Sequence, residues 1–251
     1  MRLKSEKSVR LRHKSRADKK KNALAAVLAF CAFSSPATAE VFLSRYAVSV
    51  DGLHVGEVTT QTVLDAKRYK VGIFADVGVL LSSTQIRGEA SGIRSGAKLT
   101  PEHFQIAMSG GDQGTIDINF ANSTAAAANG GARLKGFFDP LSALLAASLK
   151  PASPSNQPCN LQTRVFTGRE RLNLSLHPKA EQPAPGEVTR VFCQAILSPV
   201  EGSASGQEKL KWEIMFTKVP KPHFWLVEHI SFPAENKTVT IDRAETSISG
   251  S

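Results

Sequence analysis

Apolar and polar residues alternate along most of the chain after residue 40, and this pattern restricts the fold more than any other feature. A period of two places every second side chain on the same face of a β-strand. About ten such segments follow one another at intervals of roughly 10 to 15 residues, which is typical of an antiparallel sandwich or barrel. The clearest apolar members are Phe42, Tyr46, Val48 and Val50; Tyr69, Val71, Ile73 and Ala75; Ile116, Ile118 and Phe120; Leu172, Leu174 and Leu176; Trp212, Ile214 and Phe216; Val239 and Ile241. The sequence therefore predicts an all-β, mostly antiparallel protein.

One segment has the period of a helix instead. Asp139 is a suitable N-cap, Pro140 suits the first helical position, and Pro151 would stop the helix after Lys150. Four leucines at helical spacing form one apolar stripe: Leu141, Leu144, Leu145 and Leu149. We expect one short amphipathic helix between Asp139 and Lys150, which either fills the core as a plug or covers an apolar cavity as a lid.

The first 39 residues have the order of a secretory signal peptide. A basic segment is followed by the short apolar run 23–34 and by Ala37-Thr38-Ala39, a small-residue cleavage site. We predict cleavage after Ala39 and a single exported β domain over residues 40–251, located in the periplasm. An uncleaved anchor and a lipidated Cys31 are the alternatives.

The positive charge of the chain is concentrated in this leader. Ten Lys and Arg but only two acidic residues lie in the first 22 positions, so the segment carries +8 of the formal net charge of +9. The remaining chain, at +1, lacks the dense basic surface that nucleic-acid binding requires. It also contains no run of roughly 18 apolar residues, the length of a transmembrane helix. We therefore expect no nucleic-acid partner and no transmembrane anchor in the mature chain.

Two cysteines stay in the mature chain, Cys159 and Cys193. An exported protein reaches an oxidising compartment, where an even pair of cysteines favours a disulfide. Their separation of 34 residues fits no compact zinc pattern. We predict a Cys159–Cys193 disulfide.

Several short motifs occur in an order that resembles a bacterial exported family, the domain of unknown function 3108. They are Tyr46-Ala-Val-Ser-Val-Asp-Gly52 with Val55-Gly56, Leu99-Thr-Pro101 with Phe104, Asp139-Pro-Leu-Ser142, Cys159 with Val165-Phe-Thr-Gly168-Arg-Glu-Arg171, and Cys193 with Pro199-Val-Glu-Gly202. The resemblance implies a curved half-barrel or barrel-like sheet, similar to envelope carriers that hold acyl chains. It implies no established activity.

The residues needed for catalysis or metal binding do not occur in recognisable patterns. The five histidines after residue 40 have no ligand spacing, and Gly202-Ser-Ala-Ser-Gly206 has alanine where a hydrolase elbow needs its nucleophile. We therefore predict a protein that is not an enzyme, with no catalytic residues, no metal and no cofactor.

These observations favour a periplasmic, non-enzymatic envelope protein that carries a hydrophobic, lipid-like ligand or acts as an accessory for one. The candidate cavity residues are Leu141, Leu144, Leu145, Leu149, Trp212 and Trp225. A protein-docking or structural accessory of the envelope is the alternative, and an unrecognised hydrolase is a third hypothesis.

Overall fold

Thirteen β-strands and one α-helix make up the part of the chain that the computed structural model describes, namely residues 39–79, 82–110, 113–120, 134–150, 158–179, 190–200, 209–219 and 224–249. The elements are β1 (Glu40–Val50), β2 (Leu53–Leu64), β3 (Arg68–Val79), β4 (Ser82–Ser95), β5 (Lys98–Ser109), β6 (Gly114–Asn119), β7 (Phe137–Phe138), α1 (Pro140–Ser148), β8 (Gln162–Phe166), β9 (Arg171–Pro178), β10 (Arg190–Pro199), β11 (Leu210–Val219), β12 (Phe224–Ala234) and β13 (Lys237–Ser249). The basic segment, the apolar run and Cys31 lie outside the described residues. Cleavage after Ala39 and a single domain over 40–251 stay predictions.

All the strands belong to one sheet, in the order β6-β5-β4-β3-β2-β1-β13-β12-β11-β10-β9-β8-β7. Every neighbouring pair is antiparallel except β7 and β8, which are parallel. The prediction of an all-β, mostly antiparallel fold is therefore confirmed. The first strand, β1, pairs with the last strand, β13, in the middle of the sheet.

The sheet curls around α1. The helix contacts β4 and β5 near one edge of the sheet, β12 near its middle and β8 near the other edge. In a flat sheet, β5 and β8 would lie about 48 Å apart, because neighbouring strands are spaced by about 4.8 Å. A helix is only about 10 to 12 Å wide. The contacts thus require a strongly curved sheet with α1 on its concave side, which confirms the predicted curvature.

In the described part of the chain, the two edges of the curved sheet, near β6 and β7, are not joined by strand pairing. Packed side chains connect them instead. β5 contacts β7, and a second apolar cluster joins residues from β4 to β8: Ala90, Phe104, Ile118, Phe120, Leu134, Phe137 and Phe166. Gly168, in the β8–β9 turn, lies so close to β6 that an added Cβ would stand 2.3 Å from Ile116 Cγ2. A larger residue at this position would push the two edges apart.

Helix α1 begins as the sequence predicts and ends slightly earlier. Asp139 is the N-cap and Pro140 the first helical residue. The turn after Ser148 is tighter than an α-helical turn, because the Lys150 N–H donates to the carbonyl of Ala147, only three residues earlier, at 3.2 Å. The predicted leucine stripe is not the buried face of the helix: Leu141 and Leu144 are half-buried, whereas Ser142 and the alanines of the helix are buried, because the curved sheet contacts α1 on several sides.

No helix among the described residues is both long enough and apolar enough to cross a membrane.

Candidate functional site

An apolar cavity of about 160 Å³ lies between α1 and the concave face of the sheet, and it is partly open to solvent. Side chains from β1, β2, β3, β12, β13 and α1 surround it. The lining residues are Phe42, Ser44, Tyr46, Val58, Thr60, Thr62, Val71, Ile73, Leu141, Leu144, Leu145, Ser148, Phe224, Leu226, Val227, Ile230 and Ile241.

The two periodicities of the sequence explain how these side chains converge. Alternation directs Phe42, Ser44 and Tyr46 of β1 to the concave face, and helical spacing directs the leucines of α1 toward them. Phe42 also stacks on Phe224 of β12, with ring centroids 4.4 Å apart. This stacked pair closes part of the cavity wall between β1 and β12.

The polar side chains that line the cavity are all hydroxyls: Ser44, Tyr46, Thr60, Thr62 and Ser148. Four of them come from β1 and β2, where Ser44 stands opposite Thr60 in the strand register. Ser44 Oγ also lies 2.9 Å from Thr246 Oγ1 of β13. Burial raises the pKa of Tyr46, although hydrogen bonds to Ser44 and Thr60 oppose the rise. We call the side chains of Ser44, Tyr46, Thr60 and Thr62 the hydroxyl ridge.

A charged pair lies next to this ridge. Arg243 of β13 stands opposite Tyr46 in the register, and its guanidinium donates a hydrogen bond to the carboxylate of Glu228. The Thr217 hydroxyl donates to the same Glu228 oxygen at 2.9 Å. Each charge therefore has a partner of opposite sign, and neither side chain lines the cavity.

A buried hydrogen bond fastens α1 to the sheet. Tyr69 of β3 places its hydroxyl 2.7 Å from Ser142 Oγ in the first turn of the helix. The ring can lie there because Gly92 has no side chain: an added Cβ would stand 2.8 Å from the Tyr69 hydroxyl. Burial is the main reason why the pKa of Tyr69 is raised.

The N-cap carboxylate of α1 is fully buried. Asp139 Oδ1 accepts a hydrogen bond from the Ser142 N–H at 2.8 Å, whereas Oδ2 has no hydrogen-bond partner among the described residues. Burial raises the pKa of Asp139, and the hydrogen bonds from Ser142 oppose this rise. The buried negative charge of Asp139 therefore destabilises the folded state, and the hydrogen bond from the Ser142 N–H offsets this only in part.

The C-terminal end of α1 is held by Trp225. Its indole Nε1 donates to the Lys150 carbonyl at 3.1 Å, so a carbonyl that the helix leaves without an internal partner is satisfied from β12. Together with the Tyr69–Ser142 hydrogen bond, this contact fixes both ends of the helix over the cavity.

Of the six candidate cavity residues, the structure brings three together around the cavity: Leu141, Leu144 and Leu145. Leu149 and Trp225 are buried in the main core, the larger apolar cluster, which also contains Phe42, Leu145 and Phe216. Trp212 lies half-buried against the same core, its ring 5.0 Å from that of Phe232.

The two cysteines lie as predicted. Cys159 precedes β8 and Cys193 lies on β10; their Cα atoms are 5.1 Å apart and their sulfurs are at bonding distance, 2.04 Å. This satisfies the geometric requirement for a disulfide. Both residues are buried in the main core.

Sequence reasoning did not identify the hydroxyl ridge. Ser44 and Tyr46 share the parity of Phe42, so alternation alone could have placed them on the concave face. Thr60 and Thr62 give no such signal, because the segment 59–62 is polar at every position and its inward face cannot be chosen from the pattern. Among the described residues, no three His, Cys, Asp or Glu side chains are grouped so that they could hold a metal ion.

A family model described as "Protein of unknown function (DUF3108)" matches residues 45–230, which span β1 to β12. The chain belongs to this family. No curated protein and no solved structure matches it. Family membership thus agrees with the motif resemblance, and a functional interpretation of this DUF3108 protein must come from its own geometry.

Proposed function

We propose that this DUF3108 protein is a non-enzymatic carrier or accessory that binds the apolar segment of a lipid-like molecule beneath α1. The observation that carries the proposal is the apolar cavity of about 160 Å³ between Leu141, Leu144, Leu145 and the concave face of the sheet. Apolar cavities of about 150 Å³ stay dry and take up molecules the size of benzene. The cavity therefore suits roughly six carbon atoms of a chain.

The energetics favour occupation. Transfer of about six methylenes from water into the cavity would contribute roughly 5 kcal/mol to binding. Binding thus removes the apolar chain of the ligand from water, which is the driving force for occupation.

A longer chain could continue along the concave face. Half-buried apolar side chains pack against the same core outside the cavity, so the apolar surface does not end at its mouth. They include Val55, Val77, Ile86, Trp212 and Val239.

We also propose that the protein acts in the periplasm, after cleavage of the signal peptide. The support comes from the basic, apolar and small-residue order of residues 1–39 and from the Cys159–Cys193 pair at bonding distance, which suits an oxidising compartment.

Calorimetry with a series of linear alcohols, from butanol to decanol, tests the proposal. Each added methylene should lower Kd about fourfold until the cavity is full, and the gain should then diminish. Leu144→Phe, which fills part of the cavity, should weaken binding of the longer alcohols. The control is Leu53→Phe, the same substitution at an exposed site in β2. Absence of binding to the folded protein, or equal binding by both variants, would refute the proposal and favour a protein-docking role.

A further inference from the structure

One part of the cavity lining is apolar, and the other part is polar but carries no charge. The leucines of α1 and the hydroxyl ridge on β1 and β2 both line the cavity. A hydroxyl offers one donor and two acceptor positions, so hydrogen bonds within the ridge leave acceptor positions for a ligand. The ridge can thus serve an alcohol, an ester carbonyl or an ether oxygen.

No cationic side chain lines the cavity among the described residues. Of the described residues that line the cavity, only Tyr46 is titratable, and burial raises its pKa, so it stays neutral under physiological conditions. Arg243 stands opposite Tyr46 in the register and interacts with it electrostatically, but its charge is paired with that of Glu228. An anionic group entering the cavity would lose its hydration without gaining a counter-charge, and Glu228 would oppose its approach to Arg243.

We infer that the cavity selects uncharged amphiphiles, whose alcohol or ester oxygen bonds to the hydroxyl ridge, and discriminates against carboxylate amphiphiles such as free fatty acids. This inference rests on the proposed function and narrows its ligand class. The apolar chain lies against the leucines of α1, and the neutral oxygen lies at Thr60 and Thr62.

A matched ligand pair tests this selectivity. Octanol and octanoate have the same chain length and differ at the head group. At about pH 8, where a simple carboxyl group is ionised, octanol should bind at least about tenfold more tightly by calorimetry. If only the protonated acid binds, the apparent Kd of octanoate should fall about tenfold per pH unit toward about pH 5, while that of octanol stays constant. The octanol titration controls for any change in the protein itself.

A matched variant pair tests the role of the ridge. Thr60→Val removes one lining hydroxyl with little change of shape, and should weaken octanol binding about three- to tenfold. Thr59→Val is the control, because Thr59 pairs with the exposed Arg45 and lies on the other face of β2. Urea unfolding of both variants shows whether the fold is retained.

The outcomes separate the two claims. Equal affinity for octanol and octanoate at about pH 8 would overturn the selectivity and leave the carrier proposal standing. Unchanged octanol binding by Thr60→Val would likewise overturn the role of the ridge. Absence of binding by either ligand would remove both claims.

Discussion

Two neighbouring leucines of α1 should respond very differently to truncation. Leu145 is 4% exposed and packs in the main core as well as at the cavity, so Leu145→Ala should cost about 2 to 5 kcal/mol of unfolding free energy. Leu144 is half-buried and already borders the cavity. Because Leu144 is less buried than Leu145 and borders a space that is partly open to solvent, Leu144→Ala should cost less than Leu145→Ala, roughly 1 to 2 kcal/mol.

Urea unfolding followed by circular dichroism measures these costs, and calorimetry with linear alcohols measures the binding. Both truncations remove three carbons beside the cavity, so the preferred alcohol should lengthen in both variants. Leu149→Ala is the control: Leu149 is buried in the same core but does not line the cavity. It should lose about 2 to 5 kcal/mol of stability without a change in ligand preference.

A large loss of stability for Leu144→Ala, comparable to that of Leu145→Ala, together with an unchanged ligand preference, would contradict this reasoning. Helix α1 would then be a core plug, and the space beneath it would be a packing defect without a function.

Further predictions concern the disulfide, the helix anchors and the N-terminus. Replacing Cys159 and Cys193 by alanine should lower stability by about 3 to 4 kcal/mol in urea unfolding, and titration of two free thiols in the native exported protein would disprove the bond. Tyr69→Phe should cost about 1 kcal/mol in the same assay, because it removes the buried hydrogen bond between β3 and α1; a neutral effect would show that this hydrogen bond does not anchor α1. The pKa of Asp139 is raised in the folded state, so its contribution to stability is fully present below its unfolded pKa of about 3.9 and is lost as pH rises through the folded value. Asp139→Asn, which keeps a capping oxygen, should therefore gain stability relative to wild type as pH rises above about 4, and a pH-independent difference would contradict the assignment. N-terminal sequencing of the exported protein should begin at Glu40, whereas an intact leader would refute the predicted cleavage.

The strands could be predicted from the sequence because alternation is a local property: successive side chains of a strand point to opposite faces of the sheet. Phe42, Val48 and Ile118, assigned to the inner face by parity, are all buried. The start of α1 was equally local, since Asp139 and Pro140 determine it within one turn. These features needed no knowledge of the long-range arrangement.

The cavity depends on long-range contacts that a local pattern does not contain. The stacking of Phe42 on Phe224 joins residues 182 positions apart in the sequence. Trp225 looked like a cavity residue because it is large and apolar, but its indole N–H bonds to the end of α1. Which aromatic side chain lines the cavity and which supports the helix is determined by how far the sheet curls.

The most direct test of the central claim is an isotope-filtered nuclear Overhauser experiment on the labelled protein with unlabelled octanol. We expect contacts from the terminal methyl of octanol to the methyl groups of Leu141 and Leu144 on α1, and contacts from its CH₂OH group to Thr60 on β2. Contacts confined to exposed apolar residues such as Leu53, or no contacts at saturating octanol, would contradict the account.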